Sequence, residues 1–294
     1  MRREDKRRRG SNEKWKAPDF SRKLEIMEDS RRGSRQPLTP THPISFRGNL
    51  MIVQDLGDRI RCIDQHDHAI LSGVFASAWV GAQEKSPASS ELIVATSLHD
   101  MCWIDADISP RFDPHSGRPW DFLAYPEAPK LALYLRGIAA MERLHPYGAL
   151  LHALHFSSFA DPKRQPAFHQ EIGAIVARCS ERCSREGHRL DRVTRDLELL
   201  RIFDVLSLLL CMTGPEIERA PPPWLAPSPL LQREGLTTRW ERGDFVIDPF
   251  PFDAPFDVSI VYREVATHVD GSVDAGELAA APRQAQRVRV RPAN

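Results

Sequence analysis

The sequence predicts an α+β fold, a mainly helical core carrying a small antiparallel β-sheet, and three observations predict it. Apolar residues recur at helical spacing in several runs between Gln65 and Met212. Residues 51–64, MIVQDLGDRIRCID, read as two short strands around a Gly57-Asp58 turn. Beyond a proline-rich run, β-branched and aromatic clusters return toward the C-terminus. The sheet is therefore expected to join the N-terminal hairpin to C-terminal strands.

Composition sets the outer limits. The chain has 294 residues, 41% of them hydrophobic, with 40 basic and 40 acidic side chains and a formal charge of zero. These values suit a soluble globular domain. The balance conceals an excess of about seven positive charges in the first fifty residues, so the remainder is acidic by a similar amount. Nucleic-acid binding by the main body is not expected, and weak contact is left to the basic cluster Lys6 to Arg9. No run of about eighteen apolar residues spans a bilayer, and the N-terminus lacks the apolar core of a signal peptide. A cytoplasmic protein without a membrane partner is the expectation.

Taken in order, residues 1–48 are rich in Arg, Ser and Pro without a sustained period, and read as a disordered basic tail. A single domain is expected over 51–265. Gln65 to Gly81 places Ile70, Leu71, Val74, Phe75, Ala78 and Trp79 at helical spacing, with His68 near the start. Ser89 or Ser90 then caps a helix through Leu92, Ile93, Val94, Ala95 and Leu98, which ends at His99-Asp100. The loop ISPRFDPHSGRPWDFLAYPEAP is long enough to suggest a wall or lid, with Arg111 and Arg118 as its cations. Helices are expected over Lys130 to Glu142 and Tyr147 to Phe156, where His152 and His155 share roughly one face. A polar surface helix follows over Asp161 to Arg189. Asp191 to Met212 is the strongest helix, and its second half, LLRIFDVLSLLLC, is apolar nearly all round. After the proline-rich connector, strands are expected at Leu236 to Arg239, Phe245 to Ile247 and Val258 to Tyr262. Residues 270–294 are Ala-, Arg- and Pro-rich and are expected to be poorly ordered.

The chemistry lies in polar residues that this pattern buries. No Walker A loop, GxGxxG, GxSxG or HExxH motif is present. Five cysteines form an odd set, consistent with free thiols in a reducing compartment; Cys179 and Cys183, one turn apart, lack a second pair and read as structural. His68, the pair His99-Asp100, and Asp204 instead stand on three core helices. A carboxylate among Leu199, Leu200, Ile202, Phe203, Val205 and Leu206 costs several kcal/mol unless paired, and a divalent cation satisfies imidazole and carboxylate together. Those four residues are the primary metal-ligand candidates.

Their order, His then His-Asp then Asp, resembles the signature of the HD superfamily of metal-dependent phosphohydrolases. The stretch with QHDH, HDMCW, FDVLSL and PFPF also looks like an uncharacterised bacterial family with an HD-like core. The resemblance implies a helical HD-like domain holding one or two divalent ions, with His155, and less strongly His152, completing the set. Manganese, iron, cobalt, nickel or zinc suits such ligands. It further implies a metal-dependent hydrolase acting on a phosphate ester or nucleotide, a small and phosphorylated substrate. Asp100 would bridge the ions and orient the nucleophile, and Arg111 or Arg118 would assist at the phosphate. Met101, Cys102 and Trp103 depart from the small-residue-and-Gly continuation common after His-Asp in that superfamily. Two alternatives accompany this reading: an HD-like di-iron oxygenase using the extra histidines, and a non-catalytic scaffold with a degenerate metal site and a partner contact on the basic tail.

Overall fold

Helices and strands segregate as the patterning requires. The computed structural model describes residues 51–81, 86–214, 216–217 and 221–293; the basic tail predicted over 1–48 lies outside them. Strand β1 (Ile52–Asp55) turns through Gly57, at φ +89°, into β2 (Arg59–Ile63). Glycine occupies that left-handed conformation without the Cβ clash other residues meet. Strands β3 (Thr237–Glu241), β4 (Asp244–Asp248), β5 (Phe256–Ala266) and β6 (Gln284–Pro292) complete one six-stranded sheet of order β1-β2-β5-β6-β4-β3.

Two expectations are corrected by this sheet. It is neither small nor wholly antiparallel, since β4 and β6 pair in parallel. Residues 270–294, expected to be poorly ordered, supply β6 between β5 and β4, preceded by a short helix, Ala275–Ala280. The physical reason lies in QAQRVRVRP, where Val288 and Val290 alternate with Arg287, Arg289 and Arg291. Both valines are fully buried, while Arg289 and Arg291 pair with Asp257 and with Asp244 and Glu241. Period-two patterning was present, masked by a composition that resembles a solvated tail.

The helical part follows the apolar runs closely. It comprises α1 (Gln65–Ala78), α2 (Ser90–Ser97), the short α3 (Ile104–Ile108), α4 (Glu127–Leu144), α5 (Pro146–Ser157), α6 (Pro166–Glu186) and α7 (Val193–Met212). Residues Pro146 to Phe156 of α5 are all buried, and so is nearly all of the second half of α7. These two helices thus form the interior of the bundle, against which α1, α2 and α6 pack. Phe75 of α1 and Trp79 just after it meet Phe203 of α7 and Phe252 and Phe256 at ring separations of 5.3 to 6.0 Å, which joins bundle to sheet. The α6 helix is polar outside, but Cys179 and Cys183 belong to its buried stripe with Phe168, Ile172, Ile175 and Val176. Burial pushes the two thiols up to about 12 and about 11, leaving them protonated packing groups.

Candidate metal centre

Each candidate side chain is aimed inward by its own element. Ser89 caps α2, its hydroxyl accepting from the Leu92 N–H at 3.2 Å, and the helix stops at Leu98. His99 follows immediately and folds back, Nδ1 lying 2.8 Å from the Thr96 carbonyl. A carbonyl only accepts, so Nδ1 carries a hydrogen and Nε2 is the nitrogen left facing the carboxylates. Asp100 then opens a 3-10 turn, Met101–Trp103. His68 stands in the first turns of α1, Asp204 in the middle of α7 and His155 in the last turn of α5.

These groups converge from four directions. His68 Nε2 lies 3.2 Å from Asp100 Oδ2 and 3.5 Å from Asp204 Oδ1. His99 Nε2 lies 3.7 Å from Asp100 Oδ2 and 3.6 Å from Asp204 Oδ1. His155 Nε2 reaches Asp204 Oδ2 at 3.6 Å. All five residues are buried, the two aspartates at 8% and 9% exposure and the three histidines at 2% or less. Yet His99 Nε2 has no hydrogen-bond partner. A buried nitrogen left unpaired among carboxylates is costly, and a cation relieves it.

Spacing agrees with that chemistry. Ligand atoms bonded to one ion at about 2.1 Å sit roughly 3.0 to 3.4 Å apart in octahedral or tetrahedral arrangements. The observed separations are close to this, and two overlapping triads form, His68-His99-Asp100 and His99-His155-Asp204. The residues fit a divalent ion. Support comes from residues the sequence reading missed. Ser207, one turn beyond Asp204, meets His68 Nδ1 at 2.7 Å, and Ser72, one turn beyond His68, meets Ser207 at 2.7 Å. The signal available was a hydroxyl at i+3 or i+4 from a ligand inside an apolar helix.

Electrostatics divide the histidines. Burial would lower His99, but Asp100 and then Asp204 override it and push it up to about 9. Asp100 is held below the usual carboxylate range, against its burial, chiefly by His99 and His68. Burial, with the nearby His99, drives His155 well below the ordinary imidazole value. His152 falls to about 4, mainly by burial, and its Nε2 meets the Ala95 carbonyl at 2.7 Å while Nδ1 stays unpaired. Both are neutral near pH 7, the state a ligand requires.

The loop cations are placed differently. Arg118 is buried, donating to Asp55 at 2.7 Å and to the Gly271 carbonyl, so it ties the loop to β1 and to the segment before β6. Arg111 is exposed and is not bonded to the cluster. Trp103 packs edge-on against Tyr125 and Tyr134 at 5.6 and 5.9 Å, a packing role. A separate group, Glu91, His145 and His188, also has ligand-like spacing. There His145 Nδ1 accepts from the Gly148 N–H to cap α5, which leaves the proton on Nε2 and removes it as a neutral ligand.

Fold and cluster together define an α+β protein with a buried His/Asp centre suited to a metal ion. Residues 51–267 match the family described as "Protein of unknown function (DUF3891)", and the chain belongs to that family. No curated protein and no solved structure matches it. Among the described residues no helix is long and apolar enough to cross a membrane.

Proposed function

We propose that this protein is a metal-dependent hydrolase of a small phosphate ester or nucleotide, with His68, His99, Asp100, His155 and Asp204 as its metal ligands. The observation that carries the reading is the buried, unpartnered His99 Nε2 facing Asp100 and Asp204. The HD-superfamily order of the ligands gives the reaction class, since fold alone would not. A divalent ion held there supplies an acidified water and screens phosphoryl oxygens. The chain's own residues do the rest. Asp100, whose Oδ2 lies 3.2 Å from His68 Nε2, orients the attacking water. Thr96 and Ser207 hold His99 and His68 in single orientations, so the ligand set is formed before substrate arrives. The buried side chains of α5 and of the second half of α7 keep bulk water from the centre.

Metal analysis of protein purified without oxygen, followed by assay of Mn-, Fe-, Co-, Ni- and Zn-loaded samples on generic phosphoesters, tests this directly. Bound metal with phosphoesterase turnover is the expected result. Two irons per chain with no turnover would transfer the centre to the di-iron oxygenase reading, for which unpaired His152 Nδ1 offers a further nitrogen. Protein that takes up no metal would leave the scaffold reading.

A further inference from the structure

The 3-10 turn after Asp100 adjoins a second feature. Beside the turn lies a cavity of about 220 Å³ lined by Asp105, Ser109, Arg111, Tyr125, Leu133 and Arg136. The base is largely apolar, because Tyr125 and Leu133 are buried, whereas Arg111, Arg136 and Asp105 are exposed at the rim. No ion pair or side-chain hydrogen bond joins either guanidinium to another described residue. Two cations against one carboxylate leave the cavity net positive. Each guanidinium presents a planar fork of N–H donors that matches an oxyanion, and the Ser109 hydroxyl adds another donor.

Position links this cavity to the centre. A Cβ on Gly137 would lie 2.4 Å from Cys102 Cβ, so α4 rests directly on the turn two residues beyond Asp100, and Arg136 is the neighbour of Gly137. Trp103 in the same turn packs on Tyr125 of the cavity wall. A volume of 220 Å³ is smaller than the several hundred Å³ of a whole small-molecule site, and so suits one end of a ligand. We propose that Arg111 and Arg136 form an oxyanion subsite that holds a second, non-reacting phosphate or carboxylate group of the substrate. The proposal rests on the hydrolase reading for calling that ligand a substrate. It narrows the class to small molecules bearing two oxyanionic groups.

The test is calorimetric titration of the full chain, stripped of metal and carrying Asp204→Asn, with inorganic phosphate and separately with acetate. Removing the metal excludes anion binding to an ion at the centre, and the arginine variants then locate what remains. Saturable binding, weakened at least tenfold by Arg111→Gln and by Arg136→Gln with unchanged melting, is expected; the stronger of the two anions names the group. Arg136→Lys, which keeps the charge but loses the fork, should weaken binding by an intermediate factor. Absence of saturable binding of either anion, or binding undiminished in both glutamine variants, would overturn the subsite. Phosphate binding that persists in a protein inactive with every metal would sink the hydrolase reading and leave the subsite standing.

Discussion

A carboxylate in the middle of α7 needs partners, because Asp204 is 9% exposed and flanked by leucine, isoleucine, valine and phenylalanine; on the proposed reading the partner is a cation. Asp204→Asn keeps the shape and removes the charge. We expect metal affinity to fall by more than about 100-fold while the metal-free fold survives, read as metal-to-protein ratio and as melting in chelator. His99 makes the complementary prediction. Its value of about 9 in the metal-free protein lies above the unfolded value of about 6.5. A group so raised contributes stability that is complete below pH ~6.5 and is lost as pH rises through about 9. Metal-free protein should therefore melt lower at pH 9 than at pH 6.5, and His99→Gln should flatten that dependence. Metal loading at pH 7 must displace the same proton, so titrations in buffers of different ionisation enthalpy should report release of about one proton per chain. These residues were legible in the sequence because a His-Asp pair and a lone Asp inside apolar helices have few ways to be satisfied. Ser72, Ser207 and Arg136 were not, since a hydroxyl in a helix and an arginine on its surface are ordinary until their neighbours are known.

At the scale of elements, the centre depends on how closely helices approach. Asp100 is not on a helix at all but in the turn that α4 presses against through Gly137. In Gly137→Ala the new methyl meets Cys102 Cβ at 2.4 Å and the Cys102 backbone at 3.0 to 3.2 Å, so the turn must move. The expected cost is about 1 to 3 kcal/mol of stability, with weaker metal binding because Asp100 moves too. Gly173 in α6 supplies the control, having nothing within 4 Å of an added Cβ. Gly173→Ala should stabilise the protein by roughly 0.5 to 1 kcal/mol through helix propensity, with metal content unchanged. Equal effects from the two alanines in thermal melts would contradict this assignment of Gly137. The helices themselves were readable from spacing, whereas the approach of α4 to the turn was not, because it joins residues 35 positions apart whose sequence shows only one small residue. Arg118 repeats the point. Its partner, Asp55, is 63 residues away, so a cation that looks free in the loop is in fact held by the sheet.

For the molecule as a whole, the boundary of the domain is set by the sheet rather than by composition. The family match ends at Thr267, yet β6 begins at Gln284 and lies between β5 and β4. Removing it would expose the Val288 and Val290 contacts, each worth about 1.5 to 3 kcal/mol on burial. It would also leave β5 and the β3-β4 hairpin without the strand that joins them, with unpaired backbone groups on two new edges. The sum is comparable to the net stability of about 5 to 15 kcal/mol typical of a domain. Phe256 of β5 and Phe252 pack on Phe75 of α1, the helix that carries His68, so loss of the sheet reaches the centre through that contact. A chain ending at Thr267 is therefore expected to lack a cooperative melt and to bind no metal, whereas the full chain with Val288→Ala should remain folded with a melting temperature several degrees lower. Circular dichroism melts and metal analysis of both proteins decide it. A cooperative, metal-loaded fragment ending at Thr267 would show that β6 decorates the fold instead of completing it.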